Sequence, residues 1–198
     1  EKPENSIKFL SYNTMAFALG EKHTKESPNR VLAYLAASDA DIIYSRWASD
    51  PEVAKFVTWK PHQSPDVTRA VVDFWLKDYK NANCYRYGIE RKADNELMGM
   101  IDVVGYHHGK PVIGYCMGKA YWNNGYMTEA LEAVVKQLVS DGYKEIIVEA
   151  VKDNIGSNRV IERNGFKLVD VREAELSSVK PQIVTINSYR YYAEGDTE

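Results

Sequence analysis

Few residues in this chain invite covalent or metal chemistry. Of 198 residues only two are cysteine, Cys84 and Cys116, and no CxxC occurs. A disulfide framework is excluded, and thiols this sparse suit a reducing compartment, so the expected location is the cytoplasm. The four histidines (His23, His62, His107, His108) are scattered. Adjacent His107 and His108 would point to opposite faces of a strand, and no metal site is expected. No run approaches the roughly eighteen apolar residues of a membrane span. Neither sign of charge dominates: 25 Lys and Arg stand against 28 Asp and Glu, for a net charge of −3. That balance carries no overall electrostatic footprint for nucleic acid, and neither nucleic acid nor membrane is an expected partner. What is present is core material. Apolar residues at 44% and aromatics at 12% rule out wholesale disorder, at a length suited to one domain.

Residues 1–29 differ from the rest and read as an N-terminal appendage holding one weak amphipathic helix, while residues 30–198 read as the main domain. Alternation over 30–35 predicts a strand, and Ser38-Asp39 opens a helix reaching about residue 47. Ser64-Pro65-Asp66 opens a second, with Val71, Phe74, Trp75 and Tyr79 along one stripe. Strands follow at 85–89, 97–104 and 111–117. A helix from about Gly125 to Gly142 carries Met127, Leu131, Val134, Val135 and Leu138 at spacings of three and four. A strand at 145–151, a helix from Asn154 to Asn164, and strands at 166–171 and 183–192 complete the pattern. Antiparallel strands followed by strand–helix–strand–helix predict an α+β fold, with a local parallel pair at its centre.

The most informative stretch is Ile113-Gly114-Tyr115 through Ala130, where a strand runs into a loop with Gly125 at a helix start. Free backbone N–H groups and the positive end of the helix dipole there suit a phosphate or pyrophosphate. A plain loop with a glycine turn is the competing reading. Two familiar phosphate motifs fail: Gly114-xxx-Gly118-Lys119 is one residue short of a Walker A loop, and no GxGxxG occurs. No serine sits in a GxSxG elbow.

The second stretch is Asn154-Ile155-Gly156-Ser157 through Asn164-Gly165-Phe166. Together the two stretches resemble the GCN5-related N-acetyltransferase (GNAT) superfamily, and more specifically its branch that acetylates N-termini of ribosomal proteins. That branch has "IGY", then "Y-W-x-x-G-Y-x-T-E-A" and, about thirty residues on, "N-x-x-S-x-x-V-x-E-x-x-G-F". Trp47 through Val53 and Trp59-Lys60-Pro61 also look like this branch, so the likeness spans about residues 30–192. The chain departs from the superfamily in three places: Trp122 and Met127 bound the phosphate loop, Ile161 stands where many members have a tyrosine that protonates the leaving thiolate, and no Glu precedes Tyr115 by two residues.

The resemblance implies a central mixed, mostly antiparallel sheet with a splayed parallel pair, flanked by helices. It implies acetyl-CoA as co-substrate, without a metal, and a primary amine as acceptor, attacked directly in a ternary complex. A peptide or protein N-terminus is the expected acceptor. The alternatives are a polyamine or aminoglycoside, or a non-catalytic acyl-CoA sensor, and the oligomeric state would be monomer or homodimer. Ile113, Tyr115 and Met117 would bind the pantetheine arm through their backbone. The amides of Asn123, Asn124, Gly125, Tyr126, Met127 and Thr128 would take the pyrophosphate. Asn154 and Ser157 would face the thioester, with Ser157 a candidate proton donor and Glu149 a candidate base. Arg163, with Arg159, would meet the 3′-phosphate or remain a solvated helix charge.

Overall fold

Period-two apolar patterns along the chain build one large sheet, and period-3.6 patterns supply the helices that cover it. The computed structural model describes residues 24–26, 30–81 and 83–193. Of the expected appendage, Thr24–Glu26 falls within these, and the expected amphipathic helix lies outside the described residues. The strands are β1 (Thr24–Glu26), β2 (Arg30–Ala33), β3 (Arg86–Arg91), β4 (Glu96–His107), β5 (Lys110–Met117), β6 (Glu145–Val151), β7 (Lys167–Ser177) and β8 (Lys180–Tyr192). Their order across the sheet is β1-β2-β3-β4-β5-β6-β8-β7. Every pairing is antiparallel except β5 with β6. The expected α+β architecture with one parallel pair is the one observed.

The α-helices are α1 (Ala40–Ile43), α2 (Pro51–Ala54), α3 (Pro65–Asp78), α4 (Tyr126–Ser140) and α5 (Ile155–Arg163). On one face of the sheet, α4 buries Met127, Ala130, Leu131, Val134, Val135 and Leu138. These pack with Ile89, Ile101, Ile113 and Val148 of the strands and with Ile161 of α5. The other face is covered by α1 to α3, where Ile43, Trp47 and Val72 meet Leu35 and Leu97. The expected helix over 39–47 is broken in three: a 3₁₀ turn at Ala37–Asp39, then α1, then a π-helical turn at Tyr44–Ala48.

The parallel pair is brief. Only Val112 with Ile147 and Ile113 with Val148 are in register. Beyond them β5 stays bonded to β4 through Gly114 to Met117, and β6 stays bonded to β8 through Glu149 to Val151. The two strands therefore part, each leaving one edge of peptide groups without a strand partner. A bulge between Val103 and Gly105 in β4 lies opposite Val112–Ile113, and bulges increase local twist at such a point. Across from the gap, β4 lies very close to β5. A Cβ on Gly99 would stand 2.5 Å from the Cys116 carbonyl oxygen, so only glycine fits there.

Candidate functional site

The parting of β5 and β6 opens a cleft of about 600 Å³. Its floor is Tyr115, Cys116 and Met117, and one wall is the loop after β5 with the first turn of α4. Gly125 caps α4 with φ 82°, the left-handed region, and Asn123 two residues earlier has φ 62°. Apart from its chain neighbours, nothing lies within 4 Å of a Cβ built on Gly125. Gly125 lines the cleft, so a side chain there would stand at the edge of the volume left for a ligand. The loop is braced from behind. The Trp122 indole donates to the Met117 carbonyl at 2.7 Å, and the Asn124 amide donates to the carbonyls of Tyr121 and Trp122 at 3.2 and 2.9 Å. Loop amides at the start of a fifteen-residue helix are an arrangement suited to an anion.

The second wall is the first turn of α5, contributing Asn154, Ile155, Gly156 and Ser157, with Arg159 and Arg163 further along. Asn154 caps this helix by accepting from the Ser157 amide at 3.2 Å. The following residue, Asn158, is buried and donates to the carbonyls of Val151, Lys152 and Asn154 at 3.0, 3.3 and 2.7 Å. Its own carbonyl accepts from the Tyr189 hydroxyl at 2.7 Å and from Asn187 at 2.9 Å. The turn from β6 into α5 is thus bolted to β8. Asn164 joins the two helices, donating to the Thr128 carbonyl at 3.1 Å.

At the centre, the Tyr115 hydroxyl lies 2.8 Å from Ser157 Oγ, bridging β5 and α5 across the gap. Burial holds the Tyr115 phenol well above its ordinary pKa, and the Ser157 bond pulls only partly the other way. At neutral pH the Tyr115 phenol therefore keeps its proton. Cys116, also in the cleft lining, is a free thiol that burial pushes up to about 12. It stays protonated, and so a poor nucleophile.

The expected residues converge, with three exceptions. Tyr115, Met117, Asn123, Gly125, Tyr126, Met127, Thr128, Asn154, Ser157 and Arg163 all line the cleft. Ile113 is buried in the core at the last position of β5 paired with β6, and the Asn124 side chain builds the loop. Glu149 stands outside the lining. Its carboxylate accepts from Arg172 at 3.0 Å on both oxygens and from the Ser188 hydroxyl at 3.0 Å. Residue-by-residue reading missed the Tyr115 side chain, visible only as part of the "IGY" motif. It also missed the far rim, Glu52, Val53, Phe56 and Val57, whose four-residue helix has no periodicity to detect.

Comparison with known proteins agrees with this geometry. The profile of the Acetyltransferase (GNAT) domain matches residues 30–167. The uncharacterized N-acetyltransferase YoaA of Bacillus subtilis (strain 168) is 28% identical over 148 residues, covering 72% of this chain and 81% of that one. The crystal structure of a GNAT-family acetyltransferase from Bacillus anthracis superposes with a TM-score of 0.75 at 20% identity, covering 87% of this chain and all of that one. The ribosomal L7/L12 acetyltransferase RimL, solved with coenzyme A, gives 0.76 at 19% identity, over 88% and 100%.

Proposed function

The chain belongs to the GNAT acetyltransferase family and is an acetyl-CoA-dependent N-acetyltransferase, and from that premise we propose that its acceptor is the α-amine of a peptide or protein N-terminus. The cleft fits the co-substrate on three independent counts. The β5 edge from Gly114 to Cys116, which has no strand partner on the cleft side, can meet an amide-bearing arm. Asn123 and residues 125–128 line the cleft at a helix N-terminus, where backbone N–H groups are free of helix partners. Arg159 and Arg163 supply cations for a further phosphate. Acetyl-CoA, when bound, supplies the thioester and a thiol leaving group.

The single observation that carries the reading is the Tyr115–Ser157 pair at 2.8 Å inside that cleft. Transfer forms an N–C bond and breaks a C–S bond, so one proton must leave the amine and one must reach the sulfur. Ser157, resupplied by Tyr115, donates at the sulfur, taking the part of the tyrosine that Ile161 replaces. The opposite end asks for only a weak base. Among the described residues lining the cleft the carboxylate present is Glu52, and Glu149 is tied to Arg172. An α-amine, with an intrinsic pKa near ~8, is deprotonated through water far more readily than a lysine-like amine near ~10.4. A polyamine would also require several converging carboxylates, which this lining lacks. RimL is named for acetylating the α-amine of a ribosomal protein, which favours the same acceptor class here.

A thiol-release screen with acetyl-CoA and a panel of N-terminal peptides, spermidine and an aminoglycoside tests this. At least one peptide should give the highest kcat/KM. A polyamine or aminoglycoside exceeding every peptide by about a hundredfold or more, some 2.7 kcal/mol of transition-state preference, would contradict the acceptor and leave the enzyme class standing.

A further inference from the structure

The cleft's far rim, Glu52 to Val57, rides on α2 and the turn after it. Four residues are too few for a helix to stand alone, because nucleation is costly and the last carbonyls have no partner within it. Asp50 caps the start, accepting from the Glu52 amide at 2.8 Å. The end is met from far along the chain. Lys180, the first residue of β8, places Nζ 2.7 Å from the Ala54 carbonyl, 3.1 Å from that of Lys55 and 3.0 Å from that of Val57. Ser177, the last residue of β7, donates its hydroxyl to the Thr58 carbonyl at 2.6 Å and accepts from the Lys180 amide at 3.1 Å. The two residues face each other across the hairpin. An ammonium has three protons, and here three carbonyls receive them. A cation at the end of a helix is also what its dipole favours.

The rim so held is the part of the cleft least suited to phosphate. It presents the exposed Glu52 carboxylate, 4.0 Å from Lys119 Nζ, beside the apolar Val57 and Phe56, whose ring lies under Lys55 Nζ, while Arg159, Arg163 and the loop after β5 lie on the other walls. So exposed and so long an ion pair can exchange its lysine for another ammonium, and a carboxylate over an apolar shelf favours an amine over a phosphate, which points to this rim as the acceptor's side. We propose that Lys180, together with Ser177, is a positioning residue for the acceptor: the tip of the β7–β8 hairpin latches residues 51–58 at the distance that seats the amine. This rests on the acetyltransferase reading above for the identity of the ligand, and on the hydrogen bonds alone for the latch.

The test uses Lys180→Met, Ser177→Ala and Lys180→Arg in the full chain. Lys180→Met should raise the acceptor KM by about tenfold, since small misplacements of a bound reactant are costly. The acetyl-CoA KM and the acetyl-CoA-induced rise in melting temperature should not change. Ser177→Ala should act in the same direction but less, and Lys180→Arg, which keeps the charge and donors, should restore most of the loss. An unchanged acceptor KM, or equal losses for acceptor and acetyl-CoA, overturns the proposal. Hydrogen exchange over residues 51–58 decides the latch without turnover. Exchange there should quicken in Lys180→Met with the rest of the sheet unaltered, and wild-type exchange would refute the latch. Absence of transfer to any amine by the wild type would instead count against the acceptor assignment, with the exchange result still deciding the latch.

Discussion

Ser157 carries two jobs through different atoms. Its amide is spent on the Asn154 cap, while its hydroxyl is shared with Tyr115. Losing the hydroxyl should therefore leave the helix start intact. Ser157→Ala is expected to lower kcat by about a hundredfold, the lower range for a positioned proton donor, with little change in acetyl-CoA affinity. The interaction gains strength only as charge develops on sulfur, so the loss belongs to kcat. Tyr115→Phe should follow in the same direction, because Ser157 then has no phenol to resupply it. Steady-state kinetics with single-turnover thiol release separate the two effects, and an unaltered kcat in both variants would reduce the pair to a structural contact.

Among elements, β3, β4 and α3 meet at one guanidinium. Arg86 reaches Asp102 at 2.8 Å and Asp78 at 2.8 Å, and lies over the Trp75 ring. Asp102 is buried, and burial outweighs the attraction of Arg86, pushing its carboxyl up to about 6 from 3.8. In the folded state it holds a proton more tightly than in the unfolded state. Its contribution to stability is thus fully present below pH ~4 and is lost as pH rises through ~6. Urea unfolding of wild type and Asp102→Asn at intervals between pH 4 and 7 should show the wild type losing ground to the variant across that window. A constant difference would contradict a raised pKa.

The elements differed in how plainly the sequence announces them. α4 and β6 are legible because their core partners recur at helical or strand spacing and bury fully. β7 is legible only in its first part, the strand expected at 166–171, because beyond it Arg172, Glu173 and Glu175 give no apolar face. An outer edge strand needs no apolar face, and it runs to Ser177 instead of stopping near residue 171. α2 escapes notice because its last carbonyls are met by Lys180, more than a hundred residues away, and no local pattern encodes such a contact. Within the site, the backbone-binding loop and Ser157 are legible as motif residues. The Asn158 network is not, since a buried asparagine is explained only once Tyr189 and Asn187 are seen to reach it.

At the scale of the molecule, one sheet does two things at once. Its continuous half packs both cores, and its interruption between β5 and β6 makes the cleft. Among the described residues no helix is long and apolar enough to cross a membrane. The central claim is that acetyl-CoA binds in that interruption, with its phosphates on the loop closed by Gly125. The most direct test is the melting temperature with and without acetyl-CoA at about a hundred times Kd. Such a ligand adds roughly 2.7 kcal/mol, or about 5–10 °C for a chain of this size. Gly125→Val, which puts a branched side chain on a cleft-lining residue at a left-handed backbone position, should remain folded and lose most of that rise. A folded Gly125→Val protein whose melting temperature still climbs as far as the wild type's would contradict the account.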